Sequence, residues 1–161
     1  MILYHGSLER IAAPEIRVPN RTLDYGAGFY ATTSFKQAEE WVRRCMREAL
    51  SDKGYVNEYA LNTELLDHLN CLFFESPTEE WLDFVMRNRT ERNFTHDYDV
   101  VYGPVANDKV YAAFALYEGG LLNKQNLIAE LRTYELVDQY LFHTPRALET
   151  ITFIKAKEIL L

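Results

Sequence analysis

A chain of 161 residues, 48% hydrophobic and 14% aromatic, carries enough apolar surface for one packed domain over 1–161, which excludes a disordered or low-complexity protein. A net charge of −7 and a pI near 5.1 weigh against non-specific nucleic-acid binding, and the local basic clusters (Arg43-Arg44 with Arg47, and Arg87 to Arg92) read first as solvated helix faces. Two cysteines and four scattered histidines offer no metal-ligand pattern, and no apolar run reaches membrane-spanning length, so a cytoplasmic protein without metal or membrane partner is expected.

Ile2 to Ser7 reads as a strand ending in His5-Gly6-Ser7. Asp24 to Thr33 reads as a second short strand, entered through Gly26 and Gly28 and carrying Phe29, Tyr30, Thr32 and Thr33. The glycines leave room for a ligand where a Cβ would clash, and Ser7, Thr32 and Thr33 offer hydroxyls. A His and a Tyr on neighbouring strands are placed to hold a flat polar ligand from two sides. Strand alternation sends Phe29 to the core if Tyr30 faces the ligand.

A helix is expected from about Phe35 to Leu50, capped by Ser34 with Gln37, with Phe35, Ala38, Trp41, Val42, Cys45, Met46 and Ala49 as its apolar stripe. Trp41 is thereby assigned to the core. A strand over Tyr55 to Leu61 alternates, and Cys71 to Phe74 reads as a fully buried one. Ser76-Pro77-Thr78-Glu79 opens a second helix with Trp81, Phe84 and Val85 inward. After a strand over Tyr98 to Tyr102, a third helix opens at the capping pair Asn107-Asp108, buries Val110, Ala113, Phe114 and Tyr117, and stops at Gly119-Gly120. A short helix over Lys124 to Leu131 and strands over Val137 to His143 and Thr152 to Ile159 complete an α+β pattern without βαβ rhythm.

Leu3-Tyr4-His5-Gly6-Ser7, Asp24 to Thr33, Gln37-Ala38 with Trp41, Tyr98 to Val101, Gly103 to Asp108 and Asp138 to Thr144 occur in an order that resembles the bacterial domain-of-unknown-function family 3990, grouped with the ADP-ribosyltransferase superfamily. The resemblance implies split antiparallel β-sheets with surrounding helices and NAD as co-substrate in the cleft between them. It implies that His5 bonds the adenine-side ribose, that the backbone of Gly6 takes the nicotinamide carboxamide, and that Tyr30 stacks on the nicotinamide, with Ser7, Gly28 and Thr32 lining the NAD site. The third position, Glu in the superfamily, falls here on Gln139, which can bond a ribose hydroxyl but supplies no charge and accepts no proton. Glu58, Glu135 and Asp138 are the alternative carboxylates. The expected activity is ADP-ribosyl transfer to a protein or nucleic-acid acceptor, in a toxin or effector with an antitoxin partner protein. A catalytically silent NAD-binding or protein-interaction module and an NAD glycohydrolase are the alternatives.

Overall fold

The computed structural model describes residues 1–19, 21–105 and 108–161, a mixed α+β arrangement of two sheets and several helices. Strands β1 (Ile2–Ser7), β3 (Lys53–Leu61) and β7 (Ile151–Leu160) form an antiparallel sheet in the order β1-β3-β7. The second sheet runs β2-β6-β5-β4, from β2 (Phe29–Ala31), β6 (Asp138–Phe142), β5 (Val100–Pro104) and β4 (Cys71–Phe73). Its β4–β5 pair is parallel, which corrects the all-antiparallel expectation. The reason lies in the connection: helix α2 (Glu79–Thr90) carries the chain back to the end of the sheet where β4 began. The two sheets touch through one backbone bridge, Tyr4 N–H to Thr32 O at 2.8 Å and Thr32 N–H to Tyr4 O at 2.9 Å.

Helix α1 (Phe35–Ala49) covers one face of the first sheet, with Ala38, Val42 and Met46 on Val56 and Ile159. Ser34 Oγ accepts from Gln37 N–H as the sequence predicts, and Leu50 ends the helix in the left-handed region at φ 54°. The facing sides of the two sheets enclose Leu3, Phe29, Tyr59, Tyr140 and Phe142. Helices α2, α3 (Asp108–Glu118) and α4 (Lys124–Leu131) cover the outer face of the second sheet, packing Trp81, Phe114, Leu127 and Leu131 with Tyr25 against Val101 and Leu141. Asn107, half of the expected cap of α3, lies outside the described residues.

Three local expectations need correction. Trp41 is 40% exposed rather than core, because α1 lies so close to β1 that only the narrow line Ala38–Val42–Met46 meets the sheet. A Cβ on Gly6 would stand 2.3 Å from the Ala38 carbonyl oxygen, so Gly6 makes room for this helix. The cap of α2 is Thr78, whose hydroxyl accepts from Trp81 N–H, and Ser76 lies outside the helix. Finally, β4 is an edge strand, and Phe73 faces water instead of being buried. A 3₁₀ turn at Thr63–His68 and helix α5 (Pro145–Leu148) fill the remaining connections. Buried Asp99 ties β4, β5 and α5 together, accepting from Asn70 N–H (2.9 Å), Thr144 Oγ1 (2.7 Å) and Arg146 Nε (2.9 Å).

Candidate active site

Past the Tyr4–Thr32 bridge the two sheets separate, and His5 spans the gap. Its Nδ1 donates to the Tyr30 carbonyl at 2.6 Å and its ring stacks on Phe29 with centroids 4.4 Å apart. Burial holds the imidazole below its usual pKa of 6.5, so it is neutral at pH 7 and Nε2 keeps its lone pair. The register supplies a second feature. Tyr4 spends both backbone groups on Thr32, so its pair with Glu58 is of the kind without hydrogen bonds, and in an unbroken ladder so is Gly6 with Val56. The N–H and C=O of Gly6 therefore turn away from β3 into the split. Ser7, next along, accepts from Glu9 N–H at 3.1 Å and shapes the turn.

The loop leading into β2 has neither helix nor strand to order it, and side chains do so instead. Three successive carbonyls are taken: Tyr25 O by His96 Nε2 (2.7 Å), Gly26 O by the Tyr30 hydroxyl (2.6 Å), and Ala27 O by His143 Nδ1 (2.6 Å). The two imidazoles lie 4.3 Å apart. Gly26 adopts φ 92° and Gly28 φ 151°, regions that disfavour a side chain. A Cβ on Gly28 would meet Phe142 O at 2.4 Å, so this glycine, like Gly6, makes room for the fold rather than for a ligand. The Tyr30 ring packs among the residues beneath α2–α4, and burial pushes its hydroxyl well above the usual range. Phe29 goes to the core between the sheets, as alternation requires.

Gln139 lies on the same face of the second sheet as Leu141, the cross-strand partner of Tyr30. It is 8% exposed, faces the Tyr25 hydroxyl, and its Nε2 makes no hydrogen bond. The Tyr25 hydroxyl itself donates to Pro104 O and accepts from Trp81 Nε1, both at 2.8 Å. On the opposite face, Asp138 accepts from Thr32 Oγ1 (3.1 Å), Thr33 N–H (2.8 Å) and Thr33 Oγ1 (2.7 Å), and so sets the turn into α1. Glu58 faces Lys155 at 3.7 Å.

The structure thus joins His5, the Gly6 backbone and the Tyr30 carbonyl at the split. It does not bring the Tyr30 ring or Gln139 to the His5 side of the sheet. Residues far apart along the chain gather around Tyr30 instead. Asp24, 6% exposed, pairs with Arg89 Nη1 at 3.3 Å, and burial raises its carboxyl pKa against the pull of that guanidinium. Arg89 lies over the rings of Tyr111 (5.0 Å) and Phe114 (5.2 Å), and its Nε is buried without a hydrogen bond. No local pattern links positions 24, 89 and 111, because three different elements carry them. A surface cavity of about 420 Å³ is lined by Arg87, Glu91, Arg92, Asn93, Phe94 and Thr95, and by none of the candidate residues.

Among the described residues no cluster of three or more His, Cys, Asp or Glu is placed to hold a metal ion, and no helix is long and apolar enough to cross a membrane. Comparison with curated proteins and with solved structures returned no match. A family model does match, over residues 1–153, and the chain belongs to the family described as Protein of unknown function (DUF3990).

Proposed function

We propose that the chain is an NAD-dependent ADP-ribosyltransferase with the split-sheet fold of that superfamily. The observation that carries this reading is the split between β1 and β2, where His5 is anchored on Tyr30 O and the Gly6 backbone is turned outward unpaired by β3. A carboxamide offers one acceptor and one donor side by side, complementary to the Gly6 N–H and C=O. The neutral His5 Nε2 accepts from a ribose hydroxyl. With the nicotinamide so held, the glycosidic C–N bond breaks with its electron pair leaving on nicotinamide. The acceptor's nucleophile then bonds C1′ and loses its proton. In this reading Tyr30 acts through the loop it holds rather than by stacking.

A second reading, a silent NAD-binding module, is favoured by Gln139, which carries no charge and lies on the other face of the sheet from His5. Asp24 is a buried carboxylate beside Tyr25, whose hydroxyl Gln139 faces. Nicotinamide release, measured with and without cell extract as acceptor source, separates the readings. A transferase releases nicotinamide faster with extract and labels a macromolecule. A glycohydrolase releases free ADP-ribose without extract, and a silent module binds NAD and releases nothing. Gln139→Ala tests the placement of this residue away from the split: an unchanged cleavage rate agrees with it, and cleavage slowed far more than NAD binding would bring Gln139 to the ribose. Absence of NAD binding by calorimetry refutes both readings.

A further inference from the structure

The negative charge is not spread along the chain. Residues 54–86 hold seven carboxylates and no lysine or arginine, so this one segment carries all of the net charge of −7. It includes the 3₁₀ turn at Thr63–His68, the edge strand β4 and the start of α2. Glu58 is paired with Lys155 and Asp83 with Lys124, but the exposed Glu64, Asp67, Glu75 and Glu80 are in no ion pair among the described residues. Arg146, at the Asn70 end of β4, is held by Asp99. The same strand carries an aromatic ledge. Phe73, Tyr102 and Tyr140 are cross-strand neighbours on one face of the second sheet, with ring centroids 6.0 and 4.6 Å apart. The core between the sheets takes in Tyr140, whereas Phe73 is 49% exposed. Glu75 lies near enough to Tyr102, and Asp67 to Cys71, for their charges to bear on those side chains, so carboxylates flank the ledge at both ends of β4. The edge itself is open. Phe74 N–H bonds Tyr102 O at 2.8 Å, so alternation turns the N–H and C=O of Cys71 and Phe73 away from β5.

We propose that the β4 edge is a docking surface for an extended basic segment of a partner protein, which adds a strand to β4 and lays a lysine or arginine over Phe73 and Tyr102 between Asp67 and Glu75. Main-chain bonds to Cys71 and Phe73 supply the attachment, and the ledge selects the side chain. A cation is attracted to the face of an aromatic ring, and the unpaired carboxylates on either side add Coulomb attraction and steer its approach. A second copy of this chain does not suit the place, because pairing β4 with β4 would set the same carboxylates against one another. The surface lies at the opposite edge of the second sheet from β2 and the split, so the proposal does not rest on the transferase reading.

The experiment titrates three short blocked peptides into the chain by calorimetry at low salt without NAD. One alternates lysine and valine, the second has glutamate in place of lysine, and the third has proline in place of valine and so lacks those backbone donors. Expected is binding of the first, weaker binding of the third and none of the second. Phe73→Ala should weaken the lysine peptide by about 2- to 30-fold. Because Phe73 is exposed, circular dichroism of this variant should match the wild type. Asp67→Asn combined with Glu75→Gln should flatten the fall of affinity with added salt. The proposal is overturned by no binding at low salt, by an affinity that Phe73→Ala leaves unchanged, or by the glutamate or proline peptide binding as tightly as the first. Sedimentation showing a dimer that Phe73→Ala dissolves would give the edge to a second copy and overturn it too. Because NAD is absent, failure here leaves the nicotinamide-release test untouched, and the reverse.

Discussion

Replacing Gly6 by Ala separates two reasons for a glycine at this place. If the residue is small to admit a ligand, an added methyl hinders NAD and spares the fold. The structure points the other way: the new Cβ would stand 2.3 Å from Ala38 O and 3.2 Å from Val42 N, both backbone atoms of α1. Neither can rotate aside, so the helix must retreat by about 1 Å to restore ordinary contact, loosening Ala38, Val42 and Met46 from Val56 and Ile159. Overpacking of this kind costs ~1–3 kcal/mol. Alanine restricts the unfolded chain and returns ~0.4–1 kcal/mol where its conformation fits. The balance at the midpoints of these ranges, about 1.3 kcal/mol, lowers Tm by roughly 3–5 °C in a chain of this size. Thermal unfolding by circular dichroism gives the first number, and calorimetry with NAD well below Tm gives the second. Because Ala keeps the N–H and C=O that face the split, NAD affinity in the folded variant should hold within a few-fold. A variant with wild-type Tm and lost NAD binding would refute the packing argument and restore the ligand as the reason for Gly6.

Phe29→Ala and Tyr30→Phe should part company. The first empties a buried site between the sheets and costs ~3–5 kcal/mol. The second strips one hydroxyl and frees the Gly26 carbonyl, costing ~1–3 kcal/mol, with faster proteolysis between residues 21 and 28 as its signature; equal protection of that loop in both proteins would contradict the assignment. Stability should also fall on acidification in two stages. His5 and His96 are held below 6.5 by burial, so their contribution is complete above that value and is lost as pH falls through it towards the folded pKa. Asp99, held below 3.8 chiefly by Arg146, contributes stability that persists until pH falls below the ordinary carboxylate range. Asp24, raised by burial, works in the opposite sense to both, so the histidine stage is read as the difference in Tm between wild type and the His5→Gln, His96→Gln double variant. A difference that does not change with pH would contradict the assignment.

Much of the scaffold was legible. The Ser34 cap, the buried face of α3 and the span of α4 follow from patterns that local physics sets and tertiary contacts leave alone. Trp41 was misplaced because a stripe drawn at 3.6-residue spacing is wider than the line α1 can bury once Gly6 brings its backbone down onto β1. The parallel β4–β5 pair was missed because pairing direction depends on where a crossover lands, which no strand encodes in itself. At the candidate site, the place of His5 before Gly6 on the first strand is legible from sequence. The rest was invisible for a common reason: the Asp24–Arg89 pair and the histidines on the Tyr25 and Ala27 carbonyls join positions 65, 71 and 116 residues apart.

The order β1-β3-β7 also has a consequence for how the molecule comes into being. Residues 2–7 lie along 55–60, and residues 53–61 lie along 151–160, so the central strand of this sheet waits for a partner made much later. On a ribosome emitting from the amino end, β1 and β3 can meet early as a two-stranded ribbon, which is marginal by itself. The second sheet, α2 and α4 can assemble in the interval, since their partners emerge by residue 142. Only when β7 docks does β3 gain its second neighbour and β1 its firm backing. Since His5 rides on β1, its firm seating beside Tyr30 depends on a strand made long after β1 itself.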